Sequence, residues 1–542
     1  MFRTFRSSPI IIAVMKTPCD EAAILSRPAI APCHPESGPW ILAAAILGTS
    51  MAFIDSTVVN VALPALQSSL NATVIDAQWV VESYGLFLGA LILVGGSVGD
   101  LLGRRRIFVA GVAVFAVASA WCGLAPNIHQ LVMARAVQGV GAAFLVPGSL
   151  AIISASFDEA ERGRAIGTWS GSTAITTAIG PVLGGWLIQH ASWRWAFFIN
   201  LPLAAAAVAI SLRHVPESKS TAAKGVDWLG AVIVTIGLGG LVFALVESAP
   251  LSWSNRLVFG TMIFGTACLL IFPFVEARVA APMVPLELFR SRSFSGANLL
   301  TLFLYAAIGI FFFLFPLDLI QVQGYSPTAA GAAALPAILL LFLLSRWSGG
   351  LVARYGPRLP LIVGPLITAT GFVLVAIPGV GGSYWSTFFP AFVVLGFGMA
   401  VSVAPLTTVV MNAVDQDRAG TASGINNAVA RVAGLLAIAV LGSLMVRAFS
   451  ARLDRDLARL PIPPAIMTNL ESNYIQLAAL EIPASLDSRT FAEAKASIDD
   501  AFVYGFRLVM LLCAGLSVAS AAQAWLLIEG PKTATSADPA VI

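Results

Sequence analysis

The chain has 542 residues, 58% hydrophobic and only 11% charged, with 31 Lys and Arg against 28 Asp and Glu for a formal charge of +3; its mean hydropathy is +0.87. Soluble domains carry about 25% charged and about 45–50% apolar residues, so this sequence lacks the polar surface to cover a water-facing globule and reads as a membrane protein. The near-neutral balance excludes the basic face that a nucleic-acid partner needs.

Cysteine usage removes further classes. Cys19 and Cys33 precede the first apolar span, and Cys122, Cys268 and Cys513 fall inside apolar runs as packing residues, so neither a disulfide framework nor a metal spacing is present. The apolar stretches are continuous over about twenty residues, which suits helices crossing roughly 30 Å of hydrocarbon and not the alternating ten-residue strands of an outer-membrane barrel.

In chain order, residues 1–39 read as a flexible cytoplasmic tail, or in part as a mis-assigned start. The run Pro9 to Met15 is followed by no small-residue cleavage site and is not a secretory leader. Candidate spans then fall at 40–63, 78–99, 107–125, 129–154, 165–188, 195–212, 229–247, 257–275, 296–320, 328–352, 359–378, 386–411, 419–446 and 503–527. Short loops on one side carry Arg104, Arg105, Arg106, Arg162, Arg164, Arg213, Lys219, Lys224, Arg278, Arg290, Arg292, Arg354, Arg358 and Arg418; the other side has little beyond Arg194 and Arg256. The positive-inside rule makes the first set cytoplasmic, with both termini. The stretch 446–501, with Leu453, Leu457 and Leu460 among charges, reads as a partly helical extracytoplasmic loop able to meet a periplasmic adaptor protein.

The chain repeats itself. Gly139-Val-Gly141 with Pro147 recurs as Gly396-Phe-Gly398 with Pro405, and Gly96-Ser-Val-Gly-Asp100-Leu-Leu-Gly103-Arg104 recurs as Gly349 to Gly356 around Arg354. Repeats in the same orientation place a substrate path between two halves. The expected domains are a six-helix bundle at 40–213, a linker at 214–228, an inserted helix pair at 229–276, a linker at 277–295, a second six-helix bundle at 296–527 containing the loop 446–501, and a tail at 528–542.

Within the spans, ionisable residues are functional candidates, because an unpaired charge there costs at least about 2.5–3.5 kcal/mol. At about 1.5 Å per residue, Asp55, Arg135 and Arg431 lie near mid-depth. Glu82, Asp318 and Arg507 come within one to two turns of the outer surface, Glu247 at it and Arg346 near the cytoplasmic edge, where solvation competes with function. A carboxyl in a poorly solvated cavity holds a proton more readily, and a nearby arginine opposes this; an Asp55 whose distance from Arg135 changes can load and release a proton. The competing reading is a fixed bridge. Gly180-Pro181 and Gly184-Gly185 combine a broken hydrogen-bond ladder with close backbone approach, as a hinge would. Phe311, Phe312, Phe313 and Phe315 surround one span, so that some face lipid, and Trp79, Trp193, Trp195 and Trp253 sit at outer ends as an interfacial belt. No catalytic triad, nucleotide loop or histidine relay is legible, so the chain is not read as an enzyme, no cofactor is expected, and pumping must draw on an ion gradient.

These strings carry a family resemblance. The turn Gly96 to Arg106 resembles the signature loop of the major facilitator superfamily, Arg135-Ala-Val-Gln138-Gly139-Val-Gly141 its span-four motif, and Gly180-Pro181 with Gly184-Gly185 its antiporter motif. Asp55-Ser-Thr57-Val-Val-Asn60-Val-Ala-Leu63-Pro64 resembles the span-one motif of the fourteen-helix drug:proton antiporters of the EmrB/QacA type. The resemblance implies an all-α polytopic fold of fourteen transmembrane helices, with two six-helix bundles plus an inserted pair, in the cell membrane. It implies export of amphipathic or cationic organic compounds in exchange for protons, with Asp55 and Arg135 coupling the proton. Glu82, Arg431 and Asn60 are further coupling or substrate candidates, and Gly96, Asp100, Gly103, Arg104, Arg105 and Arg354 form a cytoplasmic gate. Three positions depart from the pattern: Leu101 where a basic residue is usual, Ala353 where the second copy has an acid, and Thr176 near a customary glycine. Export of one endogenous lipid or metabolite, and a non-transporting scaffold or polytopic enzyme, stand as alternatives.

Overall fold

A computed structural model describes residues 37–157, 159–219, 225–414, 419–483 and 485–529. The tails 1–36 and 530–542, Asp158, Lys224 and the turn Asp415 to Arg418 lie outside the described residues, as do the side chains of Arg162, Arg164 and Arg346.

Fourteen helices among the described residues are long and apolar enough to cross a membrane. They are α1 (Gly38–Leu70), α2 (Val74–Leu102), α3 (Arg104–Leu124), α4 (Ile128–Ser156), α5 (Glu159–His190), α6 (Trp195–His214), α7 (Trp228–Leu251), α8 (Arg256–Glu276), α9 (Arg292–Leu317, prolonged by a π-helical turn to Val322), α10 (Pro327–Ala333 and Leu335–Gly349), α11 (Arg358–Ala376), α12 (Phe388–Asn412), α13 (Ala419–Leu457) and α14 (Ser488–Leu527). Polar caps start many of them. Thr73 accepts from the Asp76 amide while the Asp76 carboxylate accepts from Thr73. Asn127, Asp227, Asn255, Ser291, Ser326 and Asp487 accept from the amides opening α4, α7, α8, α9, α10 and α14. Each satisfies a backbone donor that has no partner in its own helix.

The internal repeat shows in the packing. In the first half α2 and α3 pack on α4, and α1 packs on α5 and α6; in the second α10 and α11 pack on α12, and α9 packs on α13 and α14. The halves meet where α2 lies on α13, α5 on α10 and α1 on α9. The inserted hairpin is asymmetric: α7 packs on both α2 and α13, whereas α8 rests chiefly on α7 and leaves Phe259, Phe264, Leu270 and Phe274 exposed.

Several sequence boundaries need correction. Pro64 does not end the first span; α1 runs on to Leu70, because the ring of a proline removes one rung without halting a helix packed on both flanks. The loop expected at 446–501 is shorter. α13 continues to Leu457 and α14 begins at Ser488, since Leu453, Leu457, Ala494 and Ile498 bury their apolar stripes against each other and against Leu470 and Leu477 of the intervening segment. The span expected at 328–352 is broken at Ala334. Phe311, Phe313 and Phe315 do not face lipid: all are buried, with Phe311 and Phe315 stacked 5.1 Å apart and Phe315 edge-on to Phe392 at 4.9 Å. A helix that is apolar all round belongs in the interior, and α9 is enclosed by α12, α13, α14 and α1.

The arginine-bearing loops gather at one end of the bundle, here the basic end. The halves are joined at the opposite end, where Gln321 donates to Gln67 (2.9 Å) and Thr328 to Gln189 (2.6 Å). Toward the basic end, a Cβ added at Gly167 or Gly171 of α5 or at Gly349 of α10 would meet no described atom within 4 Å.

Candidate functional site

Asp55 lies 15 residues from the end of α1 at Leu70 and 17 from its start at Gly38, roughly 22 and 25 Å along the helix. Arg135, one to two turns into α4, reaches it: Nη1 donates to Asp55 Oδ2 at 2.5 Å, with exposures of 1% and 0%. The other carboxylate oxygen accepts from Gln138 Nε2 (2.8 Å) and Asn200 Nδ2 (3.2 Å). Gln138 returns its carbonyl to Arg135 (2.6 Å), and both amides donate to the Ser119 hydroxyl (2.7 and 3.2 Å). The guanidinium also donates to the Val80 carbonyl (3.1 Å) and lies 4.2 Å from the Tyr84 ring centroid. Five helices thus converge on a dry, hydrogen-bonded charge pair.

Buried charges persist only when paired and hydrogen-bonded. Here Arg135 keeps Gln138, Val80 and Tyr84 as partners independent of Asp55, so neutralising the carboxylate does not strand the cation. The helix spacing explains the assembly: Arg135 and Gln138, three apart on α4, share a face toward α1, and Gly139 lets α2 approach, since a Cβ there would press on the Tyr84 carbonyl. Gly141 does the same for α3 at Phe115.

The span-five residues form a contact surface. α5 runs unbroken through Pro181. Gly180 faces Thr57 and Gly184 faces Val58 of α1, while a Cβ at Gly185 would overlap the Pro327 carbonyl and one at Gly331 the Pro181 carbonyl. Reciprocal glycine-to-proline packing therefore seals α5 against α10.

The gate loop engages its own half. Arg104 pairs with Asp100 at 2.7 Å, and Gly103 takes φ +125°, which only glycine adopts freely. Glu217, beyond α6, fills the space beside it, accepting from the Arg105 amide (3.1 Å) and pairing with Arg105 and Arg106 at 3.7 and 3.6 Å. Gly96 lies beside Pro147 of α4. Arg354, in the second copy, has its guanidinium 5.2 Å from the Tyr355 ring.

Other candidates separate. Asn60 is half-buried and not among the groups bonded to Asp55. Arg431 is half-buried on α13, its guanidinium 5.8 Å from the Phe53 ring. Glu82 and Asp318 are not solvated near a surface: they are 1% and 2% exposed, because the inserted helix α7 covers α2 and the π-helical turn folds Asp318 inward. Arg507 is exposed and donates to the Ile377 and Pro378 carbonyls. Trp193, in the turn between α5 and α6, is buried, with Arg194 stacked at 4.5 Å. Asn200, Ser119, Tyr84 and Glu217 escaped the sequence reading, which searched the spans for ionisable groups; polar Asn200 inside an apolar run was the available signal for the first. A polar cleft of about 580 Å³ opens between Gln67, Ser68 and Asn71 of the α1 end and Asn469, Asn473 and Gln476 of the α13–α14 segment.

Two repeated helical halves joined at one end, with a buried charge pair at mid-depth inside the first of them, have the architecture of a secondary transporter, in which the substrate path lies between the repeats. The chain belongs to the major facilitator superfamily, whose family profile matches residues 45–438. It is 36% identical over 435 residues to the multidrug resistance protein Stp of Mycobacterium tuberculosis, covering 79% of this chain and 80% of that one. It is 32% identical over 498 residues to the tetracenomycin C resistance and export protein of Streptomyces glaucescens (90% and 91% covered), and 34% over 422 residues to a puromycin resistance protein of Streptomyces alboniger (76% and 83%). Among solved structures, a bacterial homologue of the human lysosomal transporter Spinster superposes with a TM-score of 0.62 at 16% identity, over 91% of this chain and 98% of that one, and shares the fold. The chain is a multi-pass membrane transporter of this superfamily, not an enzyme.

Proposed function

We propose that this transporter exports amphipathic or cationic organic compounds across the cell membrane in exchange for protons, with its basic end and both termini in the cytoplasm. The observation that carries the reading is the Asp55–Arg135 pair: a carboxylate at mid-depth, dry in this conformation, held by an arginine that has other partners to fall back on. Alternating access would rock the halves about the path between them. In the present arrangement the halves are sealed at the opposite end, where α5 packs on α10. When rocking opens the path between the halves and water reaches the pair, Asp55 exchanges its bond to Arg135 for a proton; on closure the order reverses, and the proton gradient biases the cycle toward export.

Support for a drug-like substrate comes from the relatives, named for resistance to chemically diverse compounds. The test is ethidium uptake into inverted membrane vesicles carrying the full chain, energised by an acid interior. Asp55→Asn is expected to abolish gradient-driven accumulation while leaving downhill flux, because the amide cannot carry the proton. Accumulation by the variant equal to wild type would refute the coupling role. Absence of transport by the wild type of every cationic or lipophilic dye tried would point to a dedicated exporter of one endogenous compound.

A further inference from the structure

Glu82 stands on the stripe of α2 formed by Gln78, Glu82, Gly85 and Gly89, which faces α13. Gln78 donates to the Ile438 carbonyl at 3.3 Å, and a Cβ added at Gly85 or Gly89 would lie 3.6 Å from Leu435 or 3.4 Å from the Arg431 Cβ. Position 82 therefore looks into the seam between the two halves. The inserted helix α7 closes the third side: Trp79 donates to Glu247 (2.8 Å), Ser443 of α13 donates to the Leu245 carbonyl (2.7 Å), and Gly239 lies beside Leu86.

In this enclosure Glu82 is 1% exposed, and both carboxyl oxygens are buried without a hydrogen-bond partner among the described residues. The charged groups around it are engaged elsewhere. From α13, Arg431 sits two turns toward the basic end with its guanidinium over Phe53; from α7, Glu247 is held by Trp79; from α1 and α4, Asp55 and Arg135 bind each other. An ionised carboxylate with no donor in a dry interface either takes up a proton or draws water in.

We propose that Glu82 is a second proton-binding site, placed in the seam between the halves: its carboxyl keeps a proton while α2, α7 and α13 are packed together and gives it to water when they part. The O–H bond breaks as the seam hydrates, leaving carboxylate and a hydronium ion, and re-forms from a water-borne proton before the seam can close. This rests on the proton-driven export described above and adds to it a site that gates closure, separate from Asp55.

Infrared spectroscopy of the purified full chain at neutral pH tests it without transport. A carbonyl stretch from a protonated carboxylic acid is expected in the wild type and in Asp55→Asn, and is lost in Glu82→Gln. In proteoliposomes, Glu82→Gln is expected to flatten the pH dependence of ethidium flux at least several-fold, because the amide imitates the protonated acid at every pH, whereas Glu82→Asp retains it. An unchanged band in Glu82→Gln, or a wild-type pH profile in that variant, overturns the proposal. So does complete loss of flux in both Glu82→Gln and Glu82→Asp, which marks a packing role. Failure of the Asp55 coupling role leaves the infrared band in place and is thereby told apart.

Discussion

Alanine at Gly331 is expected to loosen the seal between α5 and α10. The added methyl has nowhere to go: its carbon would fall on the backbone oxygen of Pro181, with the Pro181 carbonyl carbon 2.6 Å away and the Val182 nitrogen 3.1 Å away, where ordinary contact begins near 3.4 Å. Backbone cannot swing aside as a side-chain tip can, so the helices must separate, and Gly185 against Pro327 must loosen with them. Overpacking of this kind costs about 1–3 kcal/mol, which shifts the balance between conformations about 5- to 150-fold away from the arrangement closed at that end. The cost falls only on the closed state, because in the open one α5 and α10 are apart. Spin labels at His190 and Ala329, both exposed at that end, would report it by electron–electron distance measurement in a background without native cysteines. A broadened, longer distance is expected for Gly331→Ala, while Gly167→Ala, where a Cβ meets nothing within 4 Å, stays at wild type. A wild-type distance distribution in Gly331→Ala would refute the reciprocal glycine–proline seal.

Three further outcomes are expected. Asn200→Leu removes a donor to Asp55 and leaves Ser119 one partner fewer; a lost bond to a charged group is worth about 1.5–3 kcal/mol, to be seen as a lower melting temperature of the detergent-solubilised protein. Glu217→Ala frees the Arg105 amide and unties the loop at Gly103 at a cost of about 1–2 kcal/mol, with little from the exposed Arg106 pair; hydrogen exchange at residues 103–106 should rise. The hydroxyl and amide of Thr490 hold Asp487 below the ordinary carboxylate range at the start of α14. Its folded value is depressed, so the stabilising cap is complete above the ordinary Asp value and lost as pH falls through the folded one. Amide exchange at the first turn of α14 should therefore quicken on acidification in the wild type and be fast at every pH in Asp487→Ala.

Span positions and the meeting of Asp55 with Arg135 were readable from sequence because both depend on distance along a helix axis, which composition and a fixed rise supply. The partners of that pair were less so. Asn200 and Ser119 carry no charge, and nothing in an apolar run says which way an amide or hydroxyl turns. The stretch between the last two spans was legible as partly helical from leucines alternating with Arg455, Asp456 and Arg459, but not the length of its helices, which is set by the cover that Leu470 and Leu477 give their apolar side. The span-five glycines suggested bending when counted on their own helix; their close neighbours are on α1 and α10, which one strand of sequence does not reveal. The burial of Glu82 was hidden for the same reason, its cover coming from a helix that the twofold repeat left without an assigned place.

That helix, α7, makes the hairpin 228–276 more than an appendage to the two six-helix bundles. Cutting it out would open the groove between α2 and α13 to hydrocarbon, turn Trp79 and Glu82 toward acyl chains, and take away the acceptor that Ser443 uses. Because α7 grips one helix from each half while α8 trails into the lipid, any rocking of the halves must slide one of the grips.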